Sequence, residues 1–144
     1  MQITKINETY IKQIAKIETM CFSTPWSESA LLEELSNDSA VFLCAVEENE
    51  VLGYVGFHFV LDEGYIALVA VHPNHRKKGI GRALLEKAIE KAEELGLSFL
   101  SLEVRVSNIP AQNLYQSLGF ENLGKRPNFY TLPTEDAYIM TKTF

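Results

Sequence analysis

The chain has 144 residues, of which 47% are hydrophobic and 22% are charged, and its formal net charge is -6 at pH 7. This composition is typical of a folded globular protein and excludes a disordered or fibrous one, and the length predicts a single domain over residues 1–144. Because an acidic surface repels the phosphates of nucleic acids, we expect no direct nucleic-acid partner and favour a basic peptide.

Apolar runs in the chain are short, because charged residues or glycine interrupt each of them. None is long enough to cross a bilayer, and the first residues lack the apolar core of a signal peptide. We therefore expect no membrane association and a cytoplasmic location. Cys21 and Cys44 are too few to build a disulfide or metal framework, so we expect both to be reduced and Cys44 to lie in the core.

The first predicted elements are one strand and two helices. Residues 2–6 form the strand. Asn7 or Thr9 then caps a helix, because either side chain is able to accept a hydrogen bond from a free backbone amide. Ser27 occupies the same kind of position before a second helix, which we predict to run to about Leu35.

A β-rich stretch lies between residues 41 and 71. Polar breaks at 47–50 and 62–64 divide it into three segments of strand-forming residues. The breaks are short, so the simplest arrangement is a meander in which neighbouring strands pair antiparallel.

The second half of the chain predicts a strand–loop–helix–strand unit and further elements after it. A basic segment at 76–82 precedes a helix that ends at Gly96, and a strand follows at 98–106. Residues 108–119 form a short helix, and two more strands complete the sheet. The predicted fold is α/β of the mixed (α+β) kind. Its central sheet has six to seven strands, is largely antiparallel with one parallel pair, and is flanked by about four helices.

The segment 76–82, Arg-Lys-Lys-Gly-Ile-Gly-Arg, holds four of the 13 basic residues of an otherwise acidic chain, which indicates an anion site. Gly79 and Gly81 lack a Cβ and are able to take positive φ, so successive amides would curve around an anion. The helix that starts here adds free amides and partial positive charge. These features predict a pyrophosphate site.

Two common phosphate loops do not fit this segment. A dinucleotide-binding fingerprint requires glycine where Leu84 stands, and a P-loop requires Lys followed by Ser or Thr where Arg82 and Ala83 stand. The ordinary alternative is a solvated basic turn that begins a helix.

Two segments carry a resemblance to a known family. The strand at 66–71 with His72, Pro73 and the spacing Arg76-x-x-Gly79-x-Gly81 resembles the acetyl-CoA signature of the GNAT N-acetyltransferases. Residues 102–120 resemble the second cofactor and catalytic segment of that family. With 25–28 and 135–140, they resemble the branch that acetylates the N-terminal alanine of ribosomal proteins.

The resemblance implies a set of functional residues. Acetyl-CoA would be the co-substrate, no metal would be needed, and the acceptor would be the N-terminal peptide of a protein, with a ribosomal protein as the candidate. Glu103 would be the general base and Tyr115 the general acid, while Trp26 and Tyr130 are candidate acceptor contacts. The implied cofactor-binding residues are Val69, Ala70, Val71, Arg76, Lys77, Lys78, Gly79, Ile80, Gly81, Arg82 and Asn108.

Elementary acid–base chemistry is compatible with these roles. An α-amine with a pKa of about 7.7 to 8.0 is roughly one tenth neutral at pH 7, whereas a lysine amine is neutral in only a few molecules in ten thousand. A carboxylate is a weak base, so we predict that Glu103 acts through a water molecule. Complete proton transfer from a tyrosine to a thiolate is uphill by roughly 2 kcal/mol, so a hydrogen bond from Tyr115 already helps.

Several alternatives stay open. Taken alone, Glu103 is also explained as a solvent-facing strand residue and Tyr115 as a core residue. Trp26 is equally explained as an ordinary core aromatic. His72 and His75 have no third metal ligand nearby. The segment 126–130, Arg-Pro-Asn-Phe-Tyr, replaces the paired arginines that this branch tends to carry. A lysine or a small amine is therefore an alternative acceptor. A second alternative is that the chain is a non-catalytic acyl-CoA-binding sensor.

Overall fold

Seven strands form one mixed sheet in the computed structural model, which describes residues 1–144. The strands are β1 (Gln2–Lys5), β2 (Ala40–Glu47), β3 (Glu50–Val60), β4 (Glu63–Val71), β5 (Phe99–Arg105), β6 (Glu121–Tyr130) and β7 (Glu135–Thr143). The helices are α1 (Glu8–Cys21), α2 (Glu28–Glu34), α3 (Ile80–Glu94) and α4 (Ile109–Ser117), with a short 3₁₀ helix at Pro73–His75. The predicted mixed α/β fold, with its largely antiparallel sheet and four helices, is confirmed.

The sheet opens between its two central strands. Its order is β1-β2-β3-β4-β5-β7-β6, and every neighbouring pair is antiparallel except β4 and β5. These two parallel strands pair only at their beginnings, from Glu63 opposite Phe99 to Tyr65 opposite Ser101. Beyond that point each strand continues without pairing to the other. A cleft therefore forms between the second halves of β4 and β5, with backbone groups along its walls.

Side-chain caps place the starts of three helices. Asn7 rather than Thr9 caps α1, since its Oδ1 atom accepts a hydrogen bond from the amide of Thr9 at 2.9 Å. Ser27 caps α2 through its Oγ atom, and Asn108 caps α4 through its Oδ1 atom. Each cap satisfies an amide that has no partner inside its helix, so these boundaries follow from local sequence.

Helices cover both faces of the sheet. One apolar cluster joins α1 and α2 to one face, and a second joins α3 to the other. Tyr54 and Val55, neighbours on β3, belong to different clusters because successive strand residues point to opposite faces. Cys44 is fully buried as predicted, both cysteines are free thiols, and burial raises the pKa of the Cys44 thiol to about 11. None of the helices combines the length and the apolarity needed to span a membrane.

Candidate active site

Two cavities lie end to end along the cleft. The strand cavity, about 540 Å³, is bounded by β4, β5 and the ends of α1 and β6. The loop cavity, about 760 Å³, is bounded by segment 76–82, the end of β4 and α4. The residues that line both cavities are Cys21, Phe22, Val69, Asn108 and Tyr115. A single groove therefore runs past these five residues, which form its waist.

The N-terminus of α3 presents free amides to the loop cavity. The first hydrogen bond of the helix runs from the amide of Ala83 to the carbonyl of Gly79 at 3.0 Å. The amides of Ile80, Gly81 and Arg82 precede it and have no backbone acceptor, and the cap residue Gly79 supplies no side-chain bond. These three residues line the loop cavity, so their amides and the helix dipole favour an anion there.

The two glycines of this segment differ in backbone conformation. Gly79 takes the predicted positive φ, at 79°, but Gly81 does not, and Lys77 supplies the second positive φ at 63°. Gly81 therefore does not use the conformational freedom that glycine offers, because it lies within the regular turn of α3. A Cβ built on Gly81 would be 3.6 Å from both Leu114 and Val71, which is ordinary contact. Gly81 lines the loop cavity, and its place in α3 does not itself require glycine.

The cations of the segment are engaged to different degrees. Arg76 donates from Nε to the carbonyl of Val71 at 3.2 Å and from Nη2 to Sγ of Cys21 at 3.3 Å. Arg82 donates to the hydroxyl of Ser117. Lys77 lines the loop cavity, whereas Lys78 lines neither cavity. The four cations thus surround the site, but only three of them border it.

The backbone of β4 faces the cleft at alternate residues. The amide of His72 donates to the carbonyl of Leu52 on β3 at 2.8 Å, which sets the phase of the β3–β4 ladder. Ala70 lies two residues before His72 and opposite Tyr54, so its backbone groups also point toward β3. The backbone groups of Val69 and Val71 then point away from β3 into the cleft. Of the three β4 residues implicated by the sequence, Ala70 has its backbone hydrogen bonds committed to the sheet.

Glu103 and Tyr115 both line the strand cavity, although they come from different elements. Glu103 lies on the face of β5 opposite the buried Leu102 and Val104, and its Oε1 atom is 3.3 Å from Nε of Arg126 on β6. Its side chain keeps 29% of its surface exposed, so water reaches the carboxylate.

Tyr115 is 6% exposed, and its ring packs against Phe120 with 5.9 Å between centroids. Burial raises the pKa of Tyr115 well above its ordinary value, and the neighbouring Tyr130 adds to the effect. The hydroxyl of Tyr115 lies at the waist of the groove and forms no hydrogen bond within the chain. It is therefore a neutral donor with no protein partner to displace.

The remaining predicted residues also border the groove. Asn108 lines both cavities, and since its Oδ1 atom caps α4, its side-chain NH₂ group is the part available to a ligand. Trp26 lines the strand cavity while its ring stacks on His58 at 6.3 Å, so it is both a core aromatic and a cavity wall. Tyr130 lines the strand cavity, and burial raises its pKa to about 12.

Glu18 is a cavity residue that the sequence analysis missed. It is 1% exposed, and its carboxylate accepts hydrogen bonds from the hydroxyl of Tyr54 at 2.9 Å and from the amide of Trp26 at 3.3 Å. Burial raises the pKa of Glu18, while the two hydrogen bonds oppose that rise. The signal was present, because Glu18 follows Ile11 and Ile14 at helical spacing and is the one charged residue on that apolar face.

Replacing Glu18 with glutamine should make stability less dependent on pH. Because the folded pKa lies above the ordinary 4.5, stability from this group is fully present below about pH 4.5 and is lost as pH rises through the folded pKa. The free energy of unfolding of Glu18→Gln minus that of the wild type should therefore increase from pH 4 to pH 8, by about 1.4 kcal/mol for each pH unit that separates 4.5 from the folded pKa. Urea unfolding at both pH values measures it. A difference that stays constant or decreases would contradict the buried carboxylate.

The two histidines after β4 make local contacts. Nδ1 of His72 accepts from the amide of Asn74 at 3.0 Å, and Nε2 of His75 is 3.2 Å from Oε1 of Glu50. No three His, Cys, Asp or Glu side chains come together in a group that would hold a metal ion.

Comparison with known proteins gives one consistent result. Residues 11–120 match the acetyltransferase (GNAT) family. A Bacillus subtilis relative is 38% identical over 134 residues, covering 92% of this chain and 89% of the relative. The ribosomal protein bS18-alanine N-acetyltransferase of Escherichia coli strain K12 is 36% identical over 142 residues, covering 96% and 94%.

The solved structures agree with the sequence relatives. The crystal structure of the ribosomal-protein-S18-alanine N-acetyltransferase from Escherichia coli is similar with a TM-score of 0.89 and 33% identity, covering 99% of this chain and 92% of that one. The family resemblance predicted from the sequence is confirmed. This chain belongs to the acetyltransferase (GNAT) family.

Proposed function

We propose that this chain, as one N-acetyltransferase domain over residues 1–144, transfers the acetyl group of acetyl-CoA to the N-terminal α-amine of a protein. The acceptor we propose is the N-terminal alanine of a ribosomal protein, the substrate printed in the name of the E. coli relative. The observation that carries the proposal is the continuous groove, which joins an anion-binding end to a strand cavity that contains a carboxylate and a neutral tyrosine. A ribosomal acceptor also accords with the cytoplasmic location expected from the sequence.

The loop cavity suits the pyrophosphate of CoA. The free amides of Ile80, Gly81 and Arg82 supply directional donors, and Lys77 supplies a charge without a protein partner. The pantetheine arm would then follow β4, where the backbone of Val69 and Val71 faces the cleft. This path directs the thioester to the waist, beside Asn108 and Tyr115.

The acceptor amine would enter from the strand cavity. Its nitrogen attacks the thioester carbonyl carbon, the carbon–sulfur bond breaks, and the proton of the amine leaves through water to Glu103. Glu103 is paired with Arg126 and reached by solvent, so a water relay fits it better than direct contact. An α-amine suits a base of this kind, because about a tenth of such amines is already neutral at pH 7.

Tyr115 would stabilise the departing sulfur. Its raised pKa makes complete proton transfer to a thiolate less favourable than for an ordinary tyrosine. A hydrogen bond from the neutral hydroxyl to the developing thiolate does not require that transfer, and its effect is greatest in a site that excludes water. We therefore assign Tyr115 the role of hydrogen-bond donor to the leaving thiolate.

Thiol release from acetyl-CoA tests the function with matched acceptors. The acceptors are a short basic peptide with a free N-terminal alanine, the same peptide blocked at its α-amine but carrying an internal lysine, and a polyamine. Turnover with the free peptide alone is the expected result, since only it presents an α-amine. Turnover with the blocked peptide or the polyamine would assign a lysine or small-amine acceptor. Acetyl-CoA binding without turnover of any amine would indicate a sensor.

A further inference from the structure

Arg105 lies on β5 two residues after Glu103 and on the same face of the strand. Its Nη1 atom donates to the carbonyl of Pro133 at 3.0 Å and to Oε1 of Glu135 at 3.1 Å. Its Nη2 atom donates to the carbonyl of Thr131 at 3.4 Å. The guanidinium also lies 4.3 Å from the ring centroid of Tyr130. One side chain thus holds both sides of the connection between β6 and β7, residues 131–134, called here the β6–β7 linker.

The linker has few other interactions to hold its shape. The β6–β7 ladder is irregular between Arg126 and Tyr130, so the end of the hairpin is separated from the regular pairing. Leu132 takes a positive φ of 51°, a conformation unfavourable for a residue with a Cβ, and it lies between the two carbonyls that Arg105 binds. An outside contact is therefore needed to keep the linker in this conformation.

The guanidinium is itself held in place. Oε1 of Glu135 accepts from Arg105, while Oε2 of the same carboxylate accepts from the amide of Ser107 at 2.7 Å. The Arg105 side chain is 25% exposed and that of Glu135 is 17% exposed, so the pair is partly shielded from solvent. Arginine suits this site because its rigid planar fork directs five donors at fixed angles, whereas an ammonium group has three donors on a flexible stem.

What Arg105 holds is a wall of the strand cavity. Phe129, Tyr130 and Thr131 line that cavity beside Arg105 itself, and Trp26 and the end of α1 line it too. Arg105 contacts two of these three residues. Ala70, Val71 and the amides of α3 line only the loop cavity, so the wall borders the acceptor end of the groove and not the CoA end.

We propose that Arg105 is a positioning residue for the acceptor, holding the β6–β7 linker so that Tyr130 and Thr131 form the wall that contacts the residues after the substrate's N-terminal amine. This inference rests on the proposed function. Arg105 acts through the wall and does not touch the reacting atoms. Its loss should therefore affect long acceptors more than short ones.

The test compares Arg105→Met and Arg105→Lys with the wild type. The two acceptors are a hexapeptide with a free N-terminal alanine and alanine amide. In Arg105→Met, the KM for the hexapeptide should rise about tenfold, while kcat and the KM for acetyl-CoA stay within about twofold. The KM for alanine amide should change by less than about twofold, because that acceptor is too short to reach the wall. Arg105→Lys should lie between, since it keeps the charge but not the fork.

Lys87→Met is the matched control, because it removes a cation that is paired with Glu90 at 3.2 Å on α3 and that lines neither cavity. It should leave all of these constants unchanged. Amide hydrogen exchange of residues 128–136 provides a readout independent of turnover, and it should be faster in Arg105→Met than in the control.

Three outcomes would overturn the inference: unchanged exchange in the linker, an unchanged hexapeptide KM, or parallel rises in the KM for both acceptors and for acetyl-CoA. The last pattern would indicate general loss of structure. Failure of the proposed function looks different, because the wild type itself would then not acetylate the hexapeptide. The comparison would move to whichever longer amine the wild type uses, and a wild type that uses no amine would remove both proposals.

Discussion

Replacing Tyr115 with phenylalanine is expected to lower kcat by about 100-fold or more and to leave the dissociation constant of acetyl-CoA within about twofold. The substitution removes only the hydroxyl, which has no partner in the chain, and keeps the ring that packs on Phe120. Since that hydroxyl lies at the waist of the groove, its loss affects the step in which sulfur leaves. Folding should be unaffected, because no protein hydrogen bond is broken.

Steady-state thiol release and calorimetric titration with acetyl-CoA measure the two quantities. Tyr65→Phe is the matched control, since it removes a tyrosine hydroxyl that bonds to Glu63 at 2.7 Å on the surface. That control should keep wild-type kcat. Wild-type kcat in Tyr115→Phe would remove Tyr115 from its proposed role.

The pH profile of the wild type gives a second check on Tyr115. Its pKa lies above the ordinary value of 10.0, so the hydroxyl remains protonated throughout the usual assay range. Activity that depends on a protonated Tyr115 should therefore not fall below pH 10 through ionisation of this group. A loss of kcat between pH 8 and 9.5 that disappears in Tyr115→Phe would contradict this assignment.

Gly81→Val is expected to weaken acetyl-CoA binding by about 100-fold. The Cβ itself fits the protein, with its nearest neighbours at 3.6 Å, but the added methyl groups would extend toward the loop cavity. They would keep the pyrophosphate away from the amides of α3, and each charge-assisted hydrogen bond lost weakens binding by about 1.5 to 3 kcal/mol. Stability should not fall, because valine in a helix is no worse than glycine.

Calorimetric titration with acetyl-CoA measures the effect of Gly81→Val. Gly124→Val on β6 is the matched control, since a Cβ there meets only Ile139 at 3.5 Å and Gly124 lines neither cavity. The control should bind acetyl-CoA as the wild type does. Wild-type affinity in Gly81→Val, with the protein folded, would refute the assignment of segment 76–82 as the pyrophosphate site.

Much of the fold was predictable because its determinants are local. Caps at Ser27 and Asn108 depend on residues within three positions, and the buried face of α3 depends on a repeat of 3.6 residues. The alternation along β5 likewise predicted that Glu103 points away from the core. The same reasoning could not choose between Asn7 and Thr9, since both positions suit a cap.

The candidate site was predictable in part, because its residues follow one another in two short segments. Segment 76–82 was identified by its charge and glycine content, and Glu103 and Tyr115 by their resemblance to a family pattern. Their catalytic and binding roles stay predictions. Gly81 shows the limit of composition, since a glycine there suggested an unusual backbone, whereas the residue has ordinary helical backbone and lines the loop cavity.

By itself, the sequence determined the order and type of the elements, the mixed sheet and the membership of the GNAT family, because these depend on periodicity and on contiguous motifs. Only the tertiary structure decided where β4 and β5 separate, which backbone groups of β4 face the cleft, and which cations border it. It also revealed that Glu18 and Arg105 line the strand cavity. Their partners lie up to 36 and 30 residues away in the chain, and contacts at such separations are set by packing that no local pattern records.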